Sequence, residues 1–212
     1  TVTTPAGITG ASNQATAQTS ISQTLSNSTS NSIVVTYTVT ASFGTAPNSC
    51  TDTFAINVTV NPEPQIADVV QTICSGDTFT VTPTNTAPDV VPTGTTYTWT
   101  VAAPAGITGA SDQATAQTSI SQTLTNTTST SLSAIYTVTA SVGTAPNICT
   151  DTFTITVTVN PKPSIADVTQ AICTGNTFTV TPTNTAPDVV PTGTTYTWTV
   201  TTPAGITRAS NQ

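Results

Sequence analysis

The sequence predicts an all-β protein built from tandem antiparallel β-sandwiches strung like beads. Three observations predict it: a long internal repeat, period-2 alternation of β-branched residues, and a near absence of charge. The repeat is read first. Pro5-Ala6-Gly7-Ile8-Thr9 returns as Pro104-Ala105-Gly106-Ile107-Thr108 and again as Pro203-Ala204-Gly205-Ile206-Thr207. Each offset is 99 positions (104 − 5 and 203 − 104). Cys50 and Cys149, Cys74 and Cys173, and Trp99 and Trp198 keep the same offset. Solenoid repeats run roughly 20–50 residues, so a unit of this length matches a whole small domain. The sequence starts and stops in the middle of a unit and shows no run apolar enough to span a membrane. It is expected to be an excerpt of a longer exported protein, with signals and anchors elsewhere.

Alternation supplies the strands. Phe79 and Val81 share one face of a strand, and Tyr97, Trp99 and Val101 share another. Ile120 and Leu124 mark a third, Tyr136 and Val138 a fourth, and Phe153, Ile155, Val157 and Val159 the last. The residues between them are mostly Thr, which suits the outer face of an antiparallel sheet. Turns are expected at Ser75-Gly76-Asp77, Pro92-Thr93-Gly94, Pro104-Ala105-Gly106 and between Gly143 and Asn147. No segment has helical periodicity with good caps. About seven short strands per unit, with a Trp on a central one, point to an immunoglobulin-like sandwich.

Proline marks the joints. Asn61-Pro62-Glu63-Pro64 and Asn160-Pro161-Lys162-Pro163 each follow an alternating strand. Prolines two apart stiffen a linker and cannot donate to a ladder. Residues 1–62 are then the back of one domain, 63–161 a complete domain, and 162–212 the front of the next.

Composition excludes whole classes of function. Charged residues make up 5% of the chain, against about 25% in ordinary soluble domains. With a net charge of −7 and only Lys162 and Arg208 as basic residues, no phosphate-tracking surface exists, so neither nucleic acid nor an anionic membrane is an expected partner. There is no His, and no Ser has a general base beside it. The acids stand singly, and the repeats do not keep them: Asp77 becomes Asn176, and Asn13 becomes Asp112. No catalytic residue, cofactor or metal site is expected. Asp68, Asp89 and Asp112 form no calcium-loop run and read as turn residues. Lysine–asparagine crosslinks are disfavoured, because Lys162 is the one lysine and its counterpart is Glu63.

The cysteines, two per repeat with no C-x-x-C pair, suggest disulfides in an oxidising compartment; buried free thiols are the alternative. The order of strands favours Cys74 with Cys149 inside the complete domain, leaving Cys50 and Cys173 to partners outside the chain. The rival pairing, Cys50–Cys74 and Cys149–Cys173, crosses each proline joint. Asn27-Ser28-Thr29, Asn57-Val58-Thr59 and Asn126-Thr127-Thr128 fit the N-x-[ST] sequon. Asp-Thr-Phe recurs at Asp52, Asp77 and Asp151. It resembles an Asp-Ser/Thr O-glycosylation signal of Bacteroidota, which makes Thr53, Thr78 and Thr152 the candidate acceptors.

The segment from Gln71 through Cys74-Ser75-Gly76-Asp77 to Pro83 resembles the opening of the PKD-like and Ig-like repeats of giant Bacteroidota surface proteins. Thr95-Thr96-Tyr97-Thr98-Trp99-Thr100-Val101, Gly106-Ile107-Thr108-Gly109 and Val157-Thr158-Val159-Asn160-Pro161-Lys162-Pro163 fit the same pattern. The best-known setting of such repeats is the SprB-type gliding-motility adhesin, exported by type IX secretion. The resemblance implies an extracellular adhesin tethered to the outer membrane of a Gram-negative cell. Its partners would be a surface polysaccharide or another adhesion substrate, and neighbouring repeats of the same chain. A purely structural filament or surface-layer protein is a second reading. Ice binding, raised by Thr-x-Thr runs such as Thr78 to Thr82, is a third; it wants a regular short lattice, and proline interrupts these runs.

Overall fold

The computed structural model describes residues 1–206; Thr207 and Arg208 lie outside the described residues. Fourteen strands form and no helix does among them. Five fall in the first unit: β1 (Val2–Thr3), β2 (Ile8–Thr9), β3 (Ser26–Asn27), β4 (Ile33–Phe43) and β5 (Cys50–Val60). Nine belong to the second. They are β6 (Val69–Cys74), β7 (Thr78–Val81), β8 (Thr96–Ala102), β9 (Ile107–Thr108), β10 (Gln113–Gln117), β11 (Ile120–Thr123), β12 (Thr125–Asn126), β13 (Leu132–Val142) and β14 (Cys149–Asn160).

The alternation determines which side chains point inward. In β14 Phe153, Ile155, Val157 and Val159 are buried, while Thr residues fill the positions between them. In β13 Ala134, Tyr136, Val138 and Ala140 are buried in the same rhythm. These strands lie in a five-stranded sheet of order β10-β8-β13-β14-β6. Facing it are the pairs β11-β7 and β12-β9. The layers meet where the Phe79 ring lies 5.0 Å from the Tyr136 ring. Within the five-stranded sheet, Tyr97 and Phe153 meet edge to face at 6.3 Å. Each buried Val, Ile or Phe contributes about 1.5–3 kcal/mol through removal of apolar surface from water. The Trp99 indole donates to the Ser111 carbonyl at 3.1 Å, so its one polar group is satisfied inside the apolar shell. The architecture is an immunoglobulin-like β-sandwich.

One pairing departs from the expected antiparallel pattern. β6 runs parallel to β14, with Val69 opposite Ile155 and Cys74 opposite Asn160. Cys74 therefore closes its strand rather than opening the next. The reason is the direction of travel. The first and last strands of the unit both run from one end of the sandwich to the other, so the chain enters at one end and leaves at the opposite one.

Two glycines explain local conformation. Gly109 has φ +88°, and a Cβ there would run into the Thr123 carbonyl oxygen. Gly10 has φ +86° and faces the Thr24 carbonyl in the same way. Only a residue without a side chain lets these strands approach so closely.

Candidate functional site

The carboxylates, the natural place to seek chemistry, hold the backbone. The Asp68 carboxylate accepts the Thr154 amide at 2.7 Å. Asp151 accepts from Ile66 N–H at 3.0 Å, and Asp89 from Ala67 N–H at 2.9 Å. Asp112 accepts from Val101 N–H at 2.8 Å. The Thr154 hydrogen bonds, the backbone one first, pull the Asp68 carboxyl below the usual carboxylate range. Burial raises Tyr97, with the Asp89 charge adding to it, and pushes Tyr136 up to about 12. Tyr136 donates to Gln122 Oε1 at 2.9 Å, and Gln122 in turn donates to the Ser111 carbonyl at 2.7 Å. These groups tie strands and loops together. Among the described residues, no three of His, Cys, Asp and Glu come together in a cluster that could hold a metal ion.

The expected Cys74–Cys149 pair is corrected by register. All four cysteines are free thiols. Cys74 lies opposite Asn160 at the end of β14, whereas Cys149 begins that strand. Eleven residues of extended chain (149 to 160) separate the two levels, roughly 36 Å at the rise of a strand. A disulfide needs Cα atoms within about 7 Å. The rival pairing fails for the same reason. Cys50 begins β5, a full strand away from the joint at Asn61, and Cys74 lies at the far end of the next unit.

The sequons divide. Asn126 is buried and donates to the Thr130 and Val159 carbonyls at 2.7 and 2.8 Å, so its amide nitrogen is closed to a glycosyl donor. The arrangement recurs one period earlier, where Asn27 donates to the Asn31 and Val60 carbonyls. Asn57 is exposed. The candidate O-glycosylation positions Thr53, Thr78 and Thr152 are all exposed, although the Thr78 hydroxyl is bonded to that of Thr123 at 2.6 Å.

Two surface features stand out. The outer face of the five-stranded sheet carries Thr in registered rows: Thr98, Thr139 and Thr152 in one, Thr100, Thr137 and Thr154 in the next. Ser141 with Thr96 and Thr150 extends the pattern by a further row. No ionisable side chain falls within these rows. The second feature is the joint. A cleft of about 220 Å³ opens between Ser32, Asn61 and Pro62 on one side and Pro92, Val142 and Gly143 on the other. Asn85 Nδ2 of the second unit donates to Ser30 Oγ of the first at 2.9 Å. The same bond recurs one period later, from Asn184 to Ser129 at 2.8 Å. Sequence reasoning recognised the prolines of the joint and missed these partners, because neither Asn85 nor Ser30 carries a local signal. A larger groove lies between residues 12–23 and β4. In the second unit β8 occupies that space between β10 and β13, so the groove is a strand slot and not a ligand pocket.

Compared with known protein families, the chain matches the PKD-like domain over residues 1–64 and 71–163. No curated protein matches it.

Proposed function

Because the chain belongs to the PKD-like domain family, whose immunoglobulin-type domains are generally non-catalytic and typically extracellular, we propose that it is the repeat region of a long extracellular rod. The rod serves as a stalk and as a multivalent adhesive surface. The observation that carries this reading is the parallel pairing of β6 with β14. Entry and exit at opposite ends make every added repeat lengthen the array. The recurring Asn–Ser bond supports a joint of fixed geometry at each step. We take residues 63–161 as the repeating bead.

Adhesion follows from the Thr rows. A lattice of hydroxyls and methyls, with the Asp68 carboxylate beside Thr154 as its one charge, offers hydrogen bonds and apolar contact with little long-range steering. Weak contacts summed over many identical copies give avidity. A neutral surface polysaccharide is the partner this chemistry suits. The setting we favour is the outer surface of a Gram-negative cell, in adhesion or gliding. Glycans on Thr53 or Thr152 would extend the same hydroxyl-rich surface.

The test has two arms. Small-angle scattering on arrays of increasing repeat number should show the maximum dimension growing by about 40 Å per repeat, the length of a strand such as β14 at about 3.3 Å per residue. A dimension that stays flat removes the rod. Binding to polysaccharide-coated surfaces should rise steeply with repeat number and fall when Thr137 and Thr154 are both changed to Lys. Binding indifferent to that change removes the adhesive face and leaves a structural filament.

A further inference from the structure

The two cysteines of a repeat sit at its opposite ends, and both ends are joints. Cys74 ends β6 beside Asn160, the residue that precedes the Pro161 joint. Cys149 begins β14 beside Val142, across the hairpin that reaches the preceding joint. In the cleft between the first two units, Val142 is one lining residue and Asn61 another. Asn61 is the counterpart of Asn160, one period earlier. A single joint thus collects the residue next to a Cys149-type position and the residue next to a Cys74-type position. Each cysteine thus lies one strand spacing, about 4.7–4.9 Å, from a residue that lines the cleft, and the disulfide requires the joint to bring the two Cα atoms within about 7 Å. Cys74 is exposed, and Cys149 is partly so, which leaves both thiols accessible.

We propose that the Cys74-type cysteine of each repeat forms a disulfide with the Cys149-type cysteine of the repeat that follows, stapling every joint. The proposal explains why no two cysteines within this chain are in reach of each other: each partner lies on an adjoining repeat. The chemistry balances by thiol–disulfide exchange. Two thiols lose two protons and two electrons to a disulfide oxidant. The oxidant's S–S bond breaks to two thiols as the new one forms through a mixed disulfide. In vivo this step rests on the extracellular reading above, which supplies the oxidising compartment. The pairing itself can be tested apart from it.

The chain is extended at its C-terminus by its own period, far enough to include the next counterpart of Cys149. The purified protein is treated with oxidised glutathione, digested without reduction and mapped by mass spectrometry. The expected product joins the Cys74 peptide to that counterpart, and Cys74→Ser abolishes it. Links from Cys74 to Cys149 or Cys50, a Cys149–Cys173 link, purely intermolecular links, or no link at all overturn the proposal. A second variant needs no extension. Asn61→Cys places a thiol at the first joint and should be captured by Cys149 under the same conditions; absence of that capture also overturns it. Neither outcome depends on where the protein resides, so failure here leaves the rod reading untouched.

Discussion

The chain presents nearly the same sequence in different company, and the side chains respond to the company. Phe153 is 2% exposed in the second unit, and its counterpart Phe54 in the first is 44% exposed. Trp99 is 6% exposed, whereas Trp198 is 51% exposed. Phe79 and Phe178 differ more, 1% against 64%. The second unit has both its front strands, β6 to β8, and its back strands, β13 and β14. Among the described residues the first has the back strands and β1, the counterpart of the end of β8, and residues 162–206 supply only a front. One complete core holds Phe79, Tyr97, Trp99, Tyr136 and Phe153 together, whereas the first unit buries only Ile8, Val35 and Tyr37. A sheet face stays exposed where its facing layer is not among the described residues.

The contacts that survive in the partial units are those internal to one half. Tyr37 donates to Gln23 at 2.8 Å as Tyr136 does to Gln122. The β2–β3 pair repeats β9–β12. In contrast, the counterparts of β10 and β11 form no strand, because their partners β8 and β7 belong to the front half.

The largest test of this contrast is a pair of identical truncations. Phe153→Ala should destabilise its unit by about 3–5 kcal/mol, the usual cost of emptying a buried aromatic site. Phe54→Ala should cost less than about 1 kcal/mol, in keeping with a half-exposed position. Urea unfolding followed by hydrogen exchange of β14 and β5 separates the two. Equal costs would mean that the first unit acquires a core from elsewhere.

Glycine substitutions give a middle-sized effect and sharpen the boundary between the halves. Gly94 has φ +86° with open space around it, so Gly94→Ala should cost about 1–2 kcal/mol of backbone strain. Gly109→Ala adds a collision with the Thr123 carbonyl, a further cost of roughly 1–3 kcal/mol. Gly10→Ala should match Gly109→Ala, since Gly10 meets Thr24 within the same half. Thermal melts of the three variants test the ranking.

The smallest effect is electrostatic. The folded-state pKa of Asp68 is lowered by its bonds to Thr154. Its contribution is therefore present above the unfolded carboxylate value of about 3.9 and is lost as pH falls through the lower folded value. Asp68→Asn should flatten the acid limb of stability below about pH 4. A denaturation series from neutral to acid pH reads it.

Much of the architecture was legible because it is written locally. The alternation in Phe153 to Val159 announced a strand with one buried face, and the all-β class followed. The parallel partner of β14 was not legible. Nothing in Val69 to Cys74 says which edge it will join, and that choice decided the cysteine question against the within-domain pair. The buried role of Asn126 was equally hidden, since a sequon reads the same whether its amide faces solvent or the Val159 carbonyl.

The third segment separates what sequence determines from what only tertiary structure decides. Its turns form without a facing sheet. Thr194 N–H donates to the Pro191 carbonyl at 3.1 Å, as Thr95 does to Pro92 at 3.1 Å. Ala166 N–H reaches Asp188 at 2.8 Å, as Ala67 reaches Asp89 at 2.9 Å. Gly193 and Gly94 share φ values of 88° and 86°. Yet no strand forms in 162–206, although its residues closely repeat those of β6, β7 and β8. A turn is closed by hydrogen bonds a few residues apart, so the sequence alone specifies it. A strand satisfies its backbone only through another strand, and here those partners lie up to about 90 positions along the chain.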